Sequence, residues 1–344
     1  MAWLIGIPWR AACELAKFRR HKKQQSCHTE EFSMSSATND VTIIGTGPSG
    51  LTAAIYTTRG GLKTQVYAGI QHGGQLTTTT EIENWPGMRE AIMGPQLMAD
   101  MTAQVERIGA EVVYEEITKV DFSKRPLRLW AGDREFTSHS VIIATGATAR
   151  TLKLPSEAAL MGRGLSTCAT CDGFFYKDKK VIVVGGGDSA MEEASYLAKL
   201  CSEVILIHRR PVFRASAIML ERARKNPKIK FLVPYDVVDT KADHTGLTAA
   251  VLKNEDTGKL EEMPIAGLFM AIGHTPNSSL FKDFLDHDEN GYLKVTNFTE
   301  TKVPGVFAAG DIADHVFRQA ITAAGMGCQA GMQAIRYLEN LSTT

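Results

Sequence analysis

The chain has 344 residues, 44% of them hydrophobic and 22% charged, with 38 basic and 38 acidic side chains. That length allows two core-bearing domains, and zero formal net charge lacks the electrostatic footprint of a nucleic-acid or membrane-surface binder. Beyond the N-terminus the apolar runs are too short and interrupted to span a bilayer, so neither a membrane nor a nucleic acid is expected as a partner.

Residues 1–39 stand apart as an N-terminal extension. Trp3, Leu4, Ile5, Ile7 and Trp9 are followed by Arg10, Lys17, Arg19, Arg20, Lys22 and Lys23. Pro8, Glu14, Glu30 and Glu31 count against an amphipathic transit helix. The segment is read as a tail ahead of a better start at Met34, which gives a cytoplasmic protein. An organellar transit peptide, and so a mitochondrial location, is the alternative.

Folded sequence is expected from Asp40. Val41–Gly45 reads as a buried strand and Leu51–Thr58 as a helix, joined by Gly45-Thr46-Gly47-Pro48-Ser49-Gly50. This is G-x-G-x-x-G in the context a dinucleotide turn requires. The first glycine permits the turn, the second admits a pyrophosphate to the backbone, and the third lets helix and strand approach. The helix N-terminus then faces the negative charge. The next strand, Thr64–Tyr67, is followed by Ala68 and Gly69. No acid stands there for a ribose 2′-hydroxyl, which leaves the ligand of this turn open among dinucleotides. A third strand, Val141–Ala144, ends in Thr145-Gly146.

Six cysteines are present, and only Cys168 and Cys171 are closely spaced. A secreted disulfide scaffold needs a denser framework, and zinc needs more ligands than this segment offers. A pair separated by two residues can close as a disulfide and store two electrons as a dithiol. Asp172 follows directly and could move the accompanying proton. Cys201 and Cys328 fall on apolar helical patterns and are expected in the core.

The strand–turn–helix pattern then recurs. Val181–Gly185 is a strand, Gly185-Gly186-Gly187-Asp188-Ser189-Ala190 is the turn, and Ser189–Leu200 is the helix. The following strand, Val204–Ile207, ends in His208-Arg209-Arg210, with Arg214 close by. Arginines in place of an acid suit the 2′-phosphate of NADPH, because guanidinium pairs with phosphate through a fork of donors. If this second turn holds the hydride donor, the first holds the acceptor. A dithiol nearby makes a flavin the fitting acceptor. Further on, Leu268–Gly273 and Gly305–Asp311 read as strands, and Gln319–Leu338 as a helix. Asp311 is expected to bond a ribityl hydroxyl or to cap that helix. Gly- and Pro-containing crossovers fall at 147–152 and 273–277. The expected architecture is α/β: two Rossmann-like three-layer nucleotide-binding domains. A discontinuous first domain, 40–150 and 277–344, receives a second, 151–276, as an insert.

The motifs together resemble low-molecular-weight thioredoxin reductase. They include Gly73-Gly74-Gln75-Leu76, the Thr77–Thr80 run, Glu83-Asn84-Trp85-Pro86-Gly87 and Cys168–Asp172 with Gly173-Phe174-Phe175. Gly185–Ala190, His208-Arg209-Arg210, Ala271–Asn277, Gly310-Asp311 and Arg318-Gln319-Ala320 extend the likeness to residues 40–341. The resemblance implies FAD bound at Gly45, Gly47, Pro48, Ser49, Gly50, Gly74, Gln75, Leu76, Asn84, Thr145, Gly146, Gly310, Asp311, Arg318, Gln319 and Ala320. It implies NADPH at Gly185, Gly187, Asp188, Ser189, His208, Arg209, Arg210 and Arg214. It also implies a homodimer and thioredoxin as partner. Cys171 would take electrons from the reduced flavin, Cys168 would attack the thioredoxin disulfide, and Asp172 would serve as the acid. The family alternates two domain arrangements, one with the cysteine pair facing the flavin and one with the nicotinamide there. Three other readings compete. Ferredoxin–NADP reductases of this fold lack the cysteine pair. A dithiol oxidase would not need Arg209 and Arg210. A redox sensor has little use for two nucleotide sites.

Overall fold

The computed structural model describes residues 38–79 and 81–343. The expectations for residues 1–37, and Thr80 of the threonine run, lie outside the described residues.

Strand Asn39–Ile44 pairs in parallel with Thr64–Tyr67 on one side and with Arg134–Ile143 on the other, Val41 lying opposite both Thr64 and Ser140. Glu111–Val113 extends the sheet beyond Thr64–Tyr67, again in parallel. Arg134–Ile143 is longer than the apolar run at its end because its two halves have different partners. Its first half pairs antiparallel with Leu127–Ala131, and Val141–Ile143 pair in parallel with Val306–Ala308. Successive side chains point to opposite faces of the sheet. Val41, Ile43 and Ile142 accordingly pack on one face against the helices, while Ile44, Val141 and Ile143 pack on the other against the hairpin Ile117–Asp121/Leu127–Ala131.

Helix Pro48–Arg59 starts earlier than the apolar periodicity indicates. Pro48 explains this, since proline loses nothing in the first helical turn, where N–H groups have no partner anyway. The C-terminal helix runs Ala320–Ser342 and packs along Pro48–Arg59.

The second sheet is wholly parallel, in the order Leu165–Ser166, Gly267–Met270, Lys180–Val184, Glu203–Ile207, Ile229–Leu232. Val181 and Val183 face helices Asp188–Leu200 and Ala217–Lys225. Ile182 and Val184 face Val237, Ala250 and Leu252 of an antiparallel sheet, Tyr235–Asp243/Gly246–Asn254/Leu260–Pro264. This makes three layers: helices, parallel sheet, antiparallel sheet. The chain thus carries two Rossmann-like α/β units.

Between the units the chain crosses twice, and the crossings pair. Ala147–Ala149 lies antiparallel to His274–Pro276. Arg150 N donates to Gly273 O at 2.9 Å and Asn277 N to Gly146 O at 3.0 Å. Asn277 Nδ2 donates to Thr145 O at 2.9 Å, and Thr145 Oγ1 to Asn277 O at 2.9 Å.

Two expectations change. Asp311 does not cap the C-terminal helix; Gln319 does, through a reciprocal pair of bonds with Thr322, because the loop after Asp311 runs on to Gln319 before helical geometry begins. Cys201 is fully buried, at the C-terminal end of its helix, but Cys328 is only half-buried and lies against the exposed Tyr56. Helix Ala320–Ser342 buries Ala324, Gly327 and Gly331 instead, and Cys328 falls beside that face.

Candidate active site

The first glycine turn is shaped by its own packing. A Cβ on Gly45, which has φ 114°, would lie 2.2 Å from Ala144 O, and one on Gly50 would lie 1.9 Å from Gly45 O. One on Gly47 would meet nothing within 4 Å. Two glycines therefore hold strand and helix together, and the third leaves its backbone open to a large cavity. Ser49 Oγ is buried there without a hydrogen-bond partner. Thr46 Oγ1 accepts from Gly73 N at 3.0 Å, which ties the Gly73–Leu76 loop to the turn. Gln75 Nε2 donates to Ala147 O, joining that loop to the first crossover.

The cavity is about 1030 Å³. Gly45, Gly47, Pro48, Ser49, Gly74, Gln75, Leu76, Asn84, Thr145, Gly146, Gly310, Asp311, Arg318, Gln319 and Ala320 all line it. Gly50 stands behind the wall, packed on Gly45 and Ala144. Burial, helped by the Asp314 charge and opposed by Arg318, pushes the Asp311 carboxyl up to about 7. A carboxyl in that range can donate or accept a hydrogen bond to a sugar hydroxyl.

The same cavity receives the cysteine pair. Cys168 and Cys171 form a disulfide whose Cα atoms are 5.3 Å apart, and Cys168 through Asp172 all border the cavity. The short helix Ala169–Asp172 begins at Cys168, and Cys171 N donates to Cys168 Sγ at 3.2 Å. Ser166 Oγ accepts from Cys168 N at 3.0 Å and fixes the approach to the pair. Asp172 is half-buried. Burial raises its pKa, and a hydrogen bond with Ser166 opposes the rise. Behind it burial, and then Asp172 itself, push the Tyr176 phenol up to about 12.

The second turn lies elsewhere: none of Gly185, Gly187, Asp188, Ser189, His208, Arg209, Arg210 and Arg214 borders this cavity. Arg209, Arg210 and Arg214 are exposed, and among the described residues none has a salt-bridge partner. Asp188 accepts from Ser216 N at 2.7 Å and from Ser216 Oγ at 3.0 Å. Gly186 O accepts from Arg214 N at 2.7 Å. These bonds hold the arginine loop over the turn. His208 is buried under Gly186, where a Cβ would lie 2.4 Å from its ring, and packs on Phe213. It supports the turn from below, unlike the exposed arginines beside it.

Residues 39–327 match the family described as pyridine nucleotide-disulphide oxidoreductase. The chain belongs to this family. As a member of the pyridine nucleotide-disulphide oxidoreductases it is an oxidoreductase, and its resemblance to thioredoxin reductases covers most of the chain. It is 48% identical over 309 residues to a thioredoxin reductase of Escherichia coli O157:H7, covering 87% of this chain and 96% of the relative. It is 49% identical over 309 residues to a glucosaminate ammonia-lyase of Pseudomonas fluorescens, covering 88% and 96%. The solved thioredoxin reductase from Giardia duodenalis superposes with a TM-score of 0.84 at 42% identity, covering 88% of this chain and 99% of that one.

Three site residues escaped motif reading. Ser166 has no local signal. Thr170 lies inside the cysteine motif but carries no signal of its own there. Glu193 did leave a signal: it is an acid on the helical face of Ala190, Ala194 and Leu197, all of which are buried. Its carboxyl is pushed up to about 7 by burial, against Arg318 and a hydrogen bond with the Ala169 backbone. His274 is driven down to about 4 by burial, with Arg318 and Arg150 adding to the effect.

Proposed function

We propose that the chain is an FAD-containing, NADPH-dependent thioredoxin-disulfide reductase that works as a homodimer in a reducing compartment, the cytoplasm. One observation carries the reading: the Cys168–Cys171 disulfide opens into the cavity of the first glycine turn. Residues 40–150 with 277–344 form the proposed FAD domain, and 151–276 the NADPH domain.

The cavity fits a dinucleotide flavin. The open backbone at Gly47 and the unpartnered Ser49 Oγ suit a pyrophosphate at a helix N-terminus, and Asp311 suits a ribityl hydroxyl. A flavin held here would supply a hydride acceptor that can pass two electrons to a neighbouring disulfide. Cys171, at the cavity wall, takes them. Cys168 is the sulfur that later attacks thioredoxin, and Asp172 supplies the proton. Arg209, Arg210 and Arg214 recognise the 2′-phosphate. That none of them borders the cavity supports a rotation of the inserted domain about the paired crossovers, which alternately presents disulfide and nicotinamide.

The direct test is anaerobic NADPH oxidation by the purified protein with and without oxidised thioredoxin. Thioredoxin-dependent turnover establishes the reductase. Flavin reduction without turnover points to another disulfide partner. Two further outcomes are expected. Asp172→Asn lowers turnover by about two orders of magnitude. Burial keeps Asp172 protonated closer to neutrality than an ordinary aspartate, so the wild-type rate falls as pH rises through that raised pKa. The Asn variant, with no proton to lose, lacks that limb in its pH–rate profile. Gly50→Ala drives a methyl group into the Gly45 carbonyl, and a backbone carbonyl cannot swing aside as a flexible side chain could. The helix must then move off the strand, and visible flavin absorbance per chain should drop at least about tenfold.

A further inference from the structure

The Thr170 hydroxyl lies between partners from the two halves of the molecule. Its oxygen is 3.4 Å from Cys168 Sγ, and it accepts a hydrogen bond from Gln319 Nε2 at 3.2 Å. A disulfide sulfur carries no hydrogen, so Thr170 is the donor in the first contact. The Gln319 N–H occupies one lone pair of Thr170 Oγ1, which leaves the hydroxyl's own hydrogen for the sulfur. The Gln319 amide is itself fixed. Its oxygen caps the C-terminal helix, and of its two amide N–H groups one serves Thr170 while the other is shared between Phe317 O at 3.3 Å and Arg318 O at 3.2 Å. Cys168 Sγ thus receives two donors, Thr170 Oγ1 and Cys171 N. Cys171 Sγ receives none among the described residues.

Resting on the reductase reading above, we propose that Thr170, aimed by Gln319 across the boundary between the halves, stabilises the Cys168 sulfur as it leaves the disulfide. Two electrons from the nicotinamide–flavin chain break the Sγ–Sγ bond. With one proton from Asp172 the products are one thiol and one thiolate, and the bond pair that departs with Cys168 Sγ is the charge that Thr170 meets. Hydrogen bonds to an ionised acceptor are about twice as strong as neutral ones, so the contact strengthens as the charge develops. When the inserted domain rotates, Gln319 stays behind with the first domain. Thr170 is then free to turn to solvent, and a thiolate with one donor fewer is the better nucleophile. Gln319 is a positioning residue. It makes sulfur stabilisation depend on the domain arrangement: strong where Cys168 must leave, weaker where it must attack.

The test uses the full-length flavin-loaded protein carrying Cys171→Ser, so that Cys168 is a free thiol. Its alkylation by iodoacetamide is followed against pH by peptide mass. Thr170 is exposed, so substitution there does not threaten the core. Thr170→Val should slow alkylation about three- to tenfold below the thiol pKa and displace the profile to higher pH. Thr170→Ser should restore it to within about twofold. Gln319→Leu should displace the profile in the same direction, and its effect should vanish when Thr170 is already Val. A Thr170→Val profile that superimposes on the parent, a serine variant that fails to restore it, or a Gln319→Leu effect that persists beside valine would overturn the proposal. Alkylation needs neither NADPH nor thioredoxin. Failure of the reductase reading would therefore appear as absent thioredoxin turnover with the displaced profile intact.

Discussion

Replacing Cys168 by serine is expected to abolish thioredoxin-dependent NADPH oxidation, with a loss on the order of a thousandfold or more, while flavin remains bound. A hydroxyl cannot form the disulfide that stores the electrons, and at neutral pH it is not ionised to attack a second disulfide. Flavin retention follows from geometry. The cysteines contribute one stretch of the cavity wall, whereas the turn at Gly45–Gly50, the Gly73–Leu76 loop and Asp311 come from other elements and are held by other bonds. Turnover with oxidised thioredoxin and visible absorbance, measured on one preparation, check both halves. Normal turnover would overturn the assignment of Cys168 as the attacking sulfur.

The second large effect is on nucleotide choice. Arg209→Ala with Arg210→Ala should raise the KM for NADPH about 30- to 100-fold and the KM for NADH less than about threefold. Both guanidiniums are exposed and make no salt bridge among the described residues, so their removal breaks no internal pairing that would weaken the fold. A 2′-phosphate would be the group that loses its partners. Fold integrity at this turn is carried separately, by the Asp188–Ser216 bonds and by His208 under Gly186. Steady-state kinetics with each nucleotide decide the matter, and equal effects on the two would refute recognition of the 2′-phosphate.

The arginine loop illustrates how far local pattern reaches. Its residues follow a strand, at the offset from a glycine turn where a nucleotide's adenosine end falls, and that spacing is visible in one dimension. The roles inside the loop are not. His208 sits next to Arg209 in the chain but is buried, because the glycine turn closes over its ring at Gly186 and Phe213 packs against it, contacts that lie outside the local pattern. The same limit explains Cys328. Its helix is apolar and small-residued around much of its circumference, so the pattern could not tell the face packed on Pro48–Arg59 from the flank beside Tyr56.

Strands, helices and glycine turns were legible because each depends on residues within a few positions of one another. The buried runs Val41–Ile44 and Val181–Val184, the two turns and the cysteine spacing name the chemistry: dinucleotides and a two-electron disulfide. The antiparallel layer Tyr235–Pro264 was missed, since its strands alternate weakly and gain their stability from cross-strand partners. The meeting of sites was equally out of reach. That the disulfide opens into the cavity of the first turn and away from the second depends on paired crossovers at Ala147–Ala149 and His274–Pro276. Thr170 meets Gln319 only because that arrangement brings together residues 149 positions apart. Contacts of that range are set by packing of whole layers, and no local propensity encodes them.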